Sequence, residues 1–236
     1  MINNNRIDVS QLETIKTSES PFQHFLLENT LSESDLKDLQ RDLAELEKTE
    51  PSNVFKSNYG EKKEWKKFPN DLYRLNEFLD FYSSSYFIKI LKQKFGISEE
   101  IQIFADNSYD GGGYVISPPG SYLSYHADFN FSNNVGKYRV LNVLFYLNQN
   151  YDFLSGGHLH LLDSKSKTVE KIILPKENTM LAFFTDDISF HGVSKNHENF
   201  FRRSFNLYYY SDIPISSHQS HEPHKTIWLD IDNHDH

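Results

Sequence analysis

Three side chains in this sequence have the types and spacing needed to hold one metal ion. His126 and Asp128 are two residues apart, and on a β-strand such residues project from the same face, so both can reach one ion. His191 comes much later in the chain and can supply a third ligand after the chain has crossed a sheet sandwich and returned. Two histidines and one carboxylate leave the opposite positions of a ferrous ion open, an arrangement typical of sites that activate dioxygen.

The motifs around these residues occur in a definite order. After the HAD of residues 126–128 come RVLNVLFYLN at 139–148, SGGHL at 155–159, FF at 183–184, HGV at 191–193 and RRS at 202–204. In this order and spacing they resemble the catalytic domain of the 2-oxoglutarate-dependent Fe(II) dioxygenases, in the prolyl 4-hydroxylase-like branch. The resemblance extends from Tyr114 to Tyr210 and implies a double-stranded β-helix, or jelly-roll, core.

The same resemblance implies a role for each matched residue. His126, Asp128 and His191 would bind Fe(II), Arg202 would bind the distal carboxylate of 2-oxoglutarate, and Tyr146 would donate a hydrogen bond to that carboxylate. Dioxygen would be the second co-substrate and ascorbate an optional reductant. The expected reaction hydroxylates an unactivated C–H bond and releases succinate and CO2. Retention of Asp128 favours hydroxylation over halogenation, because halogenating relatives lack this carboxylate.

The residues themselves also favour Arg202 as the carboxylate-binding group. The guanidinium can donate two parallel charge-assisted hydrogen bonds to a carboxylate, whereas Lys195 would offer a point charge. Period-two alternation places Arg202 and Ser204 on one face of their strand and Arg203 on the other, so Ser204 can assist Arg202. A shift of one residue would instead turn Arg203 inward, and Arg203 therefore remains the alternative.

The strand that carries Tyr146 has its own alternation. Asn142, Leu144 and Tyr146 fall on one face, because every second residue of a strand shares a face. We therefore expect Asn142 and Tyr146 to line the 2-oxoglutarate pocket together.

The substrate is not specified by the sequence, because one fold serves many substrates. The candidate substrate contacts are aromatic or amide side chains near the HAD motif and on the last matched strand: Tyr122, Tyr125, Phe129, Asn130, Phe131 and Tyr208. They suit a small ring-bearing or peptide substrate, and the family resemblance implies a prolyl, peptidyl or amino-acid-like one. The glycine- and proline-rich residues 106–120 are a candidate mobile lid.

Two other functions remain open. One is a non-catalytic, cupin-like jelly-roll module that binds a ligand or sugar. The other is an oxygenase of the same family that acts on a small natural product or sugar. Formation of succinate that depends on iron and 2-oxoglutarate separates the enzyme from the binding module.

Composition restricts the class of protein and its partners. The 236 residues contain no cysteine, which excludes disulfides and thiolate metal ligands. The net charge of −9 disfavours non-specific binding to nucleic acid, which requires a basic face. Residues 1–6 are polar and lack an apolar run, which argues against a signal sequence or membrane anchor, so we expect a cytoplasmic protein without a membrane partner.

The chain is expected to form a single domain, mainly β with flanking helices. Residues up to about 100 form a helical support region, residues 101–211 the jelly-roll core and residues 212–236 a loop-like tail. The pattern of leucines after Ser32 predicts a helix over 33–48 with a cap box at its start. A second helix is predicted from Leu72 to Gly96, and residues 51–69 show no clear period. Both helices should pack on the outside of the sheet.

Overall fold

The structure is a computed structural model, and it describes residues 9–230. Four α-helices and one 3-10 turn are present in this range: α1 Val9–Thr14, α2 Glu33–Leu46, α3 Tyr73–Ser83, α4 Ser85–Lys94 and the turn Phe153–Ser155. The strands are β1 His24–Glu28, β2 Asn53–Ser57, β3 Gly60–Trp65, β4 Ile103–Ala105, β5 Gly113–Ser117, β6 Leu123–Ala127, β7 Phe131–Ser132, β8 Lys137–Tyr146, β9 Leu159–Leu162, β10 Val169–Ile173, β11 Thr179–Phe184, β12 His191–Val193, β13 Arg202–Ser211 and β14 Ile227–Trp228.

Helix α2 begins where the cap box predicted. The Ser32 hydroxyl accepts a hydrogen bond from the backbone N–H of Asp35 at 3.2 Å, which satisfies one of the free donors at the helix start. The predicted helix from Leu72 to Gly96 is wrong, because the chain forms α3 and α4 with a break at Ser84. Ser84 is extended (φ −70°, ψ 151°), and its side chain caps α4 by accepting from the N–H of Phe87. Serine competes with the helical backbone in this way.

The strands form one antiparallel, strongly curled sheet with a jelly-roll core, as expected. Its order is β1-β11-β8-β13-β5-β3-β6-β12-β9-β10, with β14 paired to β6, β2 to β3, β4 to β13 and β7 to β8. The two long strands β8 and β13 pair over most of their length, with Tyr146 opposite Ser204 and Asn142 opposite Tyr208. The two sequence motifs that they carry are therefore adjacent.

The two faces of β8 belong to different apolar clusters. Val143 and Phe145 pack with buried residues of α2, α3 and α4, which places these helices on the outside of the sheet as predicted. Leu144 and Tyr146 pack inside the roll, against residues that include Leu159 and Phe183. The period-two assignment of this strand is thus correct.

Residues 51–69, for which the sequence indicated no period, contain the hairpin β2–β3. Strand β3 pairs with β5 through Lys63 and Trp65 and meets β6 at Gly60, so it joins the two halves of the roll. Its sequence, GEKKEW, lacks the usual apolar alternation because Lys62 and Glu64 face a cavity and not the apolar core.

Two other regions also differ from the sequence-based expectation. Residues 113–117 of the expected lid are strand β5, hydrogen-bonded between β13 and β3, and so are not a free loop. Asp106 accepts hydrogen bonds from the backbone N–H groups of Ser108 and Asp110, which holds the preceding turn. In the tail expected to be a loop, Ile227–Trp228 forms β14. No helix within residues 9–230 has the length and apolar character needed to span a membrane.

Candidate functional site

The three predicted metal ligands meet at the junction of β6 and β12. His126 lies on β6, Asp128 follows the end of that strand, and His191 opens β12 directly opposite His126 in the antiparallel register. The Nε2 atom of His126 is 3.4 Å from Oδ1 of Asp128, and that of His191 is 3.6 Å from Oδ2. One donor atom from each residue lies within 4.8 Å of the others, close enough to bind a single ion.

Each histidine is held by the backbone carbonyl two residues before it, with the other ring nitrogen directed at the site. The Nδ1 atom of His126 is 2.8 Å from the carbonyl oxygen of Ser124, and that of His191 is 2.9 Å from the carbonyl oxygen of Ser189. A carbonyl only accepts, so Nδ1 carries the proton and the lone pair is on Nε2. Metal-binding histidines commonly use this arrangement, which fixes both the tautomer and the orientation of the ring.

The Asp128 carboxylate is fixed by two donors that the sequence analysis did not assign. Arg139 Nη2 lies 2.9 Å from Oδ2, and the amide Nδ2 of Asn142 donates to the same oxygen at 2.9 Å. Burial alone would raise the pKa of the Asp128 carboxyl, but Arg139, aided by His191 and His126, holds it well below the usual value. The group is therefore an anion at neutral pH and suited to a divalent cation.

His191 is also in the state that binds metal. Burial, reinforced by His126, lowers the pKa of His191 to about 4. The imidazole is therefore neutral at physiological pH, with Nε2 free to donate its lone pair to an ion.

The two arginines of the RRS motif point in opposite directions. Arg202 is 4 % exposed and lines the same cavity as the triad. Arg203 lies on the outer face, where Nε and Nη2 donate to the two carboxylate oxygens of Glu47 at 2.9 and 3.1 Å. The strand register is thus the one that places Arg202 inward.

Arg202 is a buried cation without a carboxylate partner among residues 9–230. Its Nε donates to the carbonyl oxygen of Gly157 at 2.9 Å and its Nη1 is 3.5 Å from the Ser204 hydroxyl, while burial lowers its pKa. The Tyr146 hydroxyl is buried with no hydrogen-bond partner in the same range, and the Arg202 guanidinium lies 5.1 Å from the ring centre. A buried charge and an orphaned hydroxyl are costly unless a ligand pairs with them. Both fit the distal carboxylate of 2-oxoglutarate.

Gly157 of the SGGH motif allows Arg202 to reach this position. Its φ is +67°, and a Cβ there would lie 2.6 Å from Oδ1 of Asn196 and 3.1 Å from Cδ of Arg202. Only glycine accommodates both the left-handed backbone and the close approach.

The triad and Arg202 open into one cavity of about 320 Å³. Of the six candidate substrate contacts, Tyr122, Phe129 and Tyr208 line this cavity. The guanidinium of Arg139 lies between the last two, 4.8 Å from the Phe129 ring centre and 3.5 Å from that of Tyr208. Asn142 also lines the cavity, but its amide is already engaged by Asp128 and Arg139.

The structure does not bring the other three candidates to the cavity. The Tyr125 hydroxyl lies 2.9 Å from Nδ1 of His160 in a separate buried cluster, because its position on β6 has the opposite parity to His126. Asn130 donates to the carbonyl oxygens of Ser220 and Glu222 and so anchors the tail. Phe131 packs edge-on against Tyr138 at 5.1 Å.

One cavity residue, Trp228, and the aromatic residue that stacks on it, Tyr59, were not found from the sequence. Trp228, on β14 beside β6, lies 4.9 Å from His126 between ring centres. Tyr59, at the tip of the β2–β3 hairpin, stacks on Trp228 at 4.3 Å with an interplanar angle of 10°. Both come from segments without periodicity, so no pattern in the sequence placed them there.

Comparison with known proteins gave a match to one family model. Residues 112–210, fewer than half of the chain, match the family model of the 2OG-Fe(II) oxygenase superfamily. A comparison with curated proteins gave no match. The matched region is a domain of that superfamily and hence of the 2-oxoglutarate-dependent dioxygenases, which use Fe(II), 2-oxoglutarate and O2.

Solved structures share the prolyl 4-hydroxylase fold with this chain. A Pseudomonas putida prolyl-4-hydroxylase superposes with a TM-score of 0.55 at 18% identity, covering 86% of this chain and 96% of the other. A Trichoplax adhaerens prolyl hydroxylase was solved with a hypoxia inducible factor oxygen degradation domain peptide fragment. It superposes with a TM-score of 0.53 at 18% identity, covering 86% of this chain and 87% of the other. A Phytophthora capsici prolyl 4-hydroxylase superposes with a TM-score of 0.53 at 11% identity, covering 88% of this chain and 66% of the other. At these identities the likeness concerns the fold.

Proposed function

We propose that this protein hydroxylates an unactivated C–H bond of a prolyl, peptidyl or amino-acid-like substrate. His126, Asp128 and His191 would bind Fe(II), while Arg202 and Tyr146 would bind the far carboxylate of 2-oxoglutarate. When bound, the iron, 2-oxoglutarate and O2 supply the oxidising chemistry, and 2-oxoglutarate leaves as succinate and CO2. The prediction that the whole chain is a single domain also belongs to this proposal.

The observation that carries the proposal is the pairing of two features in one cavity. A metal-binding triad alone would also suit a cupin-like binding module. The buried Arg202 guanidinium, without a carboxylate partner in the described chain, supplies the additional reason for a dicarboxylate co-substrate. Without such a ligand, only the neutral acceptors of Gly157 and Ser204 would offset the desolvation of this charge.

The protein's own residues have clear tasks in this reaction. Arg139 and Asn142 hold the Asp128 carboxylate in one orientation. Apolar side chains that line the cavity exclude water around the co-substrate, and they include Leu144, Leu159, Phe183 and Val193. Tyr208 and Phe129, braced by Arg139, form a wall that can position the target carbon.

The first test is an anaerobic titration of the Fe(II)-loaded protein with 2-oxoglutarate. We expect the weak visible charge-transfer band of a keto-acid chelate, and we expect His126→Ala and Asp128→Ala to lose it while remaining folded. Arg203→Ala is the control, because that residue lies on the outer face. A folded, iron-loaded protein that gives no band would make the non-catalytic binding module the better description.

The substrate question is tested by succinate formation with free amino acids and with proline-containing peptides. The Trichoplax adhaerens enzyme was solved with a peptide, which supports including peptides. Stimulation of succinate formation by a compound that acquires one oxygen atom would identify the substrate, whereas turnover without oxygen transfer would argue against hydroxylation.

A further inference from the structure

A group of charged side chains lies on the wall of the same cavity and has no part in binding iron or 2-oxoglutarate. Lys62 and Glu64 on β3 and Lys66 just beyond it line the cavity, whereas Lys63 is exposed on the other face. Alternation along the strand explains this division. We call Lys62, Glu64 and Lys66 the hairpin cluster.

Glu64 is the centre of the hairpin cluster. It is 2 % exposed, with Oε1 2.6 Å from Lys62 Nζ and Oε2 3.3 Å from Lys66 Nζ. Asn53 Nδ2 donates to Oε2 at 2.9 Å. Burial alone would raise the pKa of Glu64, but Lys62 and its other partners hold it below the usual value. Both carboxylate oxygens are therefore occupied, and two ammonium groups share one negative charge.

The hairpin cluster is connected to the iron ligands by a short chain of contacts. Lys62 Nζ also donates to the carbonyl oxygen of Gly111 at 3.1 Å, and the Tyr208 hydroxyl donates to the same oxygen at 2.8 Å. The Tyr208 ring lies against the guanidinium of Arg139, which pairs with Asp128. The ammonium group is thus on the substrate side of the metal site.

The other carboxylates at the cavity mouth have partners of their own. Glu61 Oε2 is 3.0 Å from Lys56 Nζ, and Asp110 Oδ2 accepts from the side chain of Asn134 at 3.0 Å. The side chains of Lys62 and Lys66 retain 20 and 22 % exposure. An ammonium has three donors, so both lysines can bind a further acceptor that enters the cavity.

We propose that Lys62 and Lys66, oriented by Glu64, bind an anionic group of the substrate. This inference rests on the proposed function, since it names the chemistry of the molecule that the iron site oxidises. The anion is a carboxylate or a phosphate, both of which ammonium groups bind in partly dehydrated sites. Arg202 is committed to the co-substrate, so the hairpin cluster supplies the cations for the substrate itself.

The test uses the anaerobic protein loaded with Fe(II) and 2-oxoglutarate. Sodium acetate and inorganic phosphate are titrated in separate arms at constant ionic strength, and the fluorescence of Trp228 is followed. We expect a saturable change in at least one arm, and the arm with the tighter binding identifies the anion. Trp228→Phe establishes that the signal comes from the cavity, because the other tryptophan, Trp65, is buried on the opposite face of β3.

Matched variants distinguish anion binding by the hairpin cluster from a general effect of positive charge on the protein surface. Lys62→Met and Lys66→Met should each weaken binding of the acetate or phosphate ion at least about tenfold, as expected for loss of a charged hydrogen bond. Lys63→Met should leave this affinity unchanged. Lys62→Met alone leaves the buried Glu64 carboxylate with one ammonium partner fewer. The double variant Lys62→Met/Glu64→Gln removes the charge of both partners and so avoids an unpaired carboxylate. Lys62→Arg should restore binding.

The outcomes distinguish this inference from the proposed function. A wild-type protein that forms the charge-transfer band but shows no saturable response to either anion would overturn the anion site alone. The anion site would also be overturned if Lys63→Met weakened anion binding as much as Lys62→Met does, or if the double variant Lys62→Met/Glu64→Gln bound the anion as tightly as the wild-type protein. Absence of the band itself in the wild-type protein would instead overturn the proposed function.

Discussion

Arg139 Nη2 lies 2.9 Å from Oδ2 of Asp128, and the Arg139 side chain is 3% exposed and that of Asp128 12%. Arg139 Nε also donates to the side-chain oxygen of Asn142 at 2.9 Å, while the amide of Asn142 donates to Asp128. The three side chains form a closed ring of charged and polar contacts. Arg139, which lies eleven residues after Asp128 in the sequence, thus sets the orientation and charge of one candidate metal ligand.

This ring predicts that Arg139 controls metal affinity. Arg139→Gln should weaken Fe(II) binding about 10- to 100-fold, the usual effect of removing a group that supports a ligand. Asn142→Ala should have a smaller effect, because Asp128 keeps its ionic partner. Anaerobic metal titration measures both, with Arg203→Gln as the control for loss of an arginine. Unchanged Fe(II) affinity in folded Arg139→Gln would contradict this role.

The opposite orientations of Arg202 and Arg203 lead to a comparison between two adjacent variants. Arg202→Ala should raise the concentration of 2-oxoglutarate required at least about tenfold, since a charged hydrogen bond contributes about 1.5–3 kcal/mol. Arg203→Ala should leave this requirement unchanged and lower thermal stability instead, because it breaks the pair with Glu47. The reverse pattern in 2-oxoglutarate titrations would show that the outer arginine binds the co-substrate.

The unpartnered hydroxyl of Tyr146 predicts opposite effects on stability and binding. A buried hydroxyl without a partner costs on the order of 1 kcal/mol or more, so Tyr146→Phe should stabilise the ligand-free protein and weaken 2-oxoglutarate binding. Tyr82→Phe is a matched control, because its hydroxyl is also buried without a partner in the described chain, but Tyr82 lies on α3 in the apolar cluster outside the roll. It should change stability only. Urea unfolding and 2-oxoglutarate titration distinguish the two, and unimpaired binding by Tyr146→Phe would rule out its contact with the carboxylate.

Alanine substitutions at Gly157 and Gly136 distinguish the cost of an unfavourable backbone φ from the cost of steric crowding. Both have positive φ, +67° and +71°, but only at Gly157 would a Cβ meet neighbours within 4 Å. Gly136→Ala should cost about 1–2 kcal/mol from φ alone. Gly157→Ala should cost more and also weaken 2-oxoglutarate binding, since the added methyl group displaces Arg202. Equal losses of stability with normal binding would show that the contact with Arg202 is unimportant.

The lowered pKa of His191 predicts how the stability of the metal-free protein depends on pH. In the unfolded chain this histidine takes up a proton below about pH 6.5, whereas in the folded protein it does so only near pH 4. The unfolded state therefore binds more protons between these values, and stability falls as the pH is lowered through this window. His191→Gln should reduce this loss, and His197→Gln, at an exposed position, should not. Urea midpoints at pH 7.5 and pH 5 measure the difference.

The parts of the molecule that were predicted from sequence are those with a regular pattern. The alternation of β8 and β13 correctly placed Tyr146 with Leu144 and separated Arg202 from Arg203. The cap at Ser32 was visible because capping uses a local rule. These signals depend on residues near each other in the chain, so no tertiary information was needed.

The features that the sequence did not predict depend on contacts between segments that are distant in the chain. Strand β3 carries charged side chains on its cavity face, and therefore lacks an apolar period. Trp228 reaches the site through backbone pairing of β14 with β6, which any sequence can make. Arg139 was visible within a motif, but its pairing with Asp128 requires the actual sheet register. The triple serine at 83–85 broke a helix that leucine spacing alone extended.

The stack of Tyr59 on Trp228 has a consequence for the dynamics of the fold. It joins a hairpin near the start of the chain to a two-residue strand near residue 230, while the core lies in the long pairings of β8 with β11 and β13. Contacts of such large sequence separation require costly loop closure, and short peripheral strands open at a smaller free energy than core strands. Amide hydrogens of β2 and β14 should therefore exchange with solvent long before those of β8. Entry to the proposed iron site can then be controlled by local unfolding at its mouth, while the jelly roll remains intact.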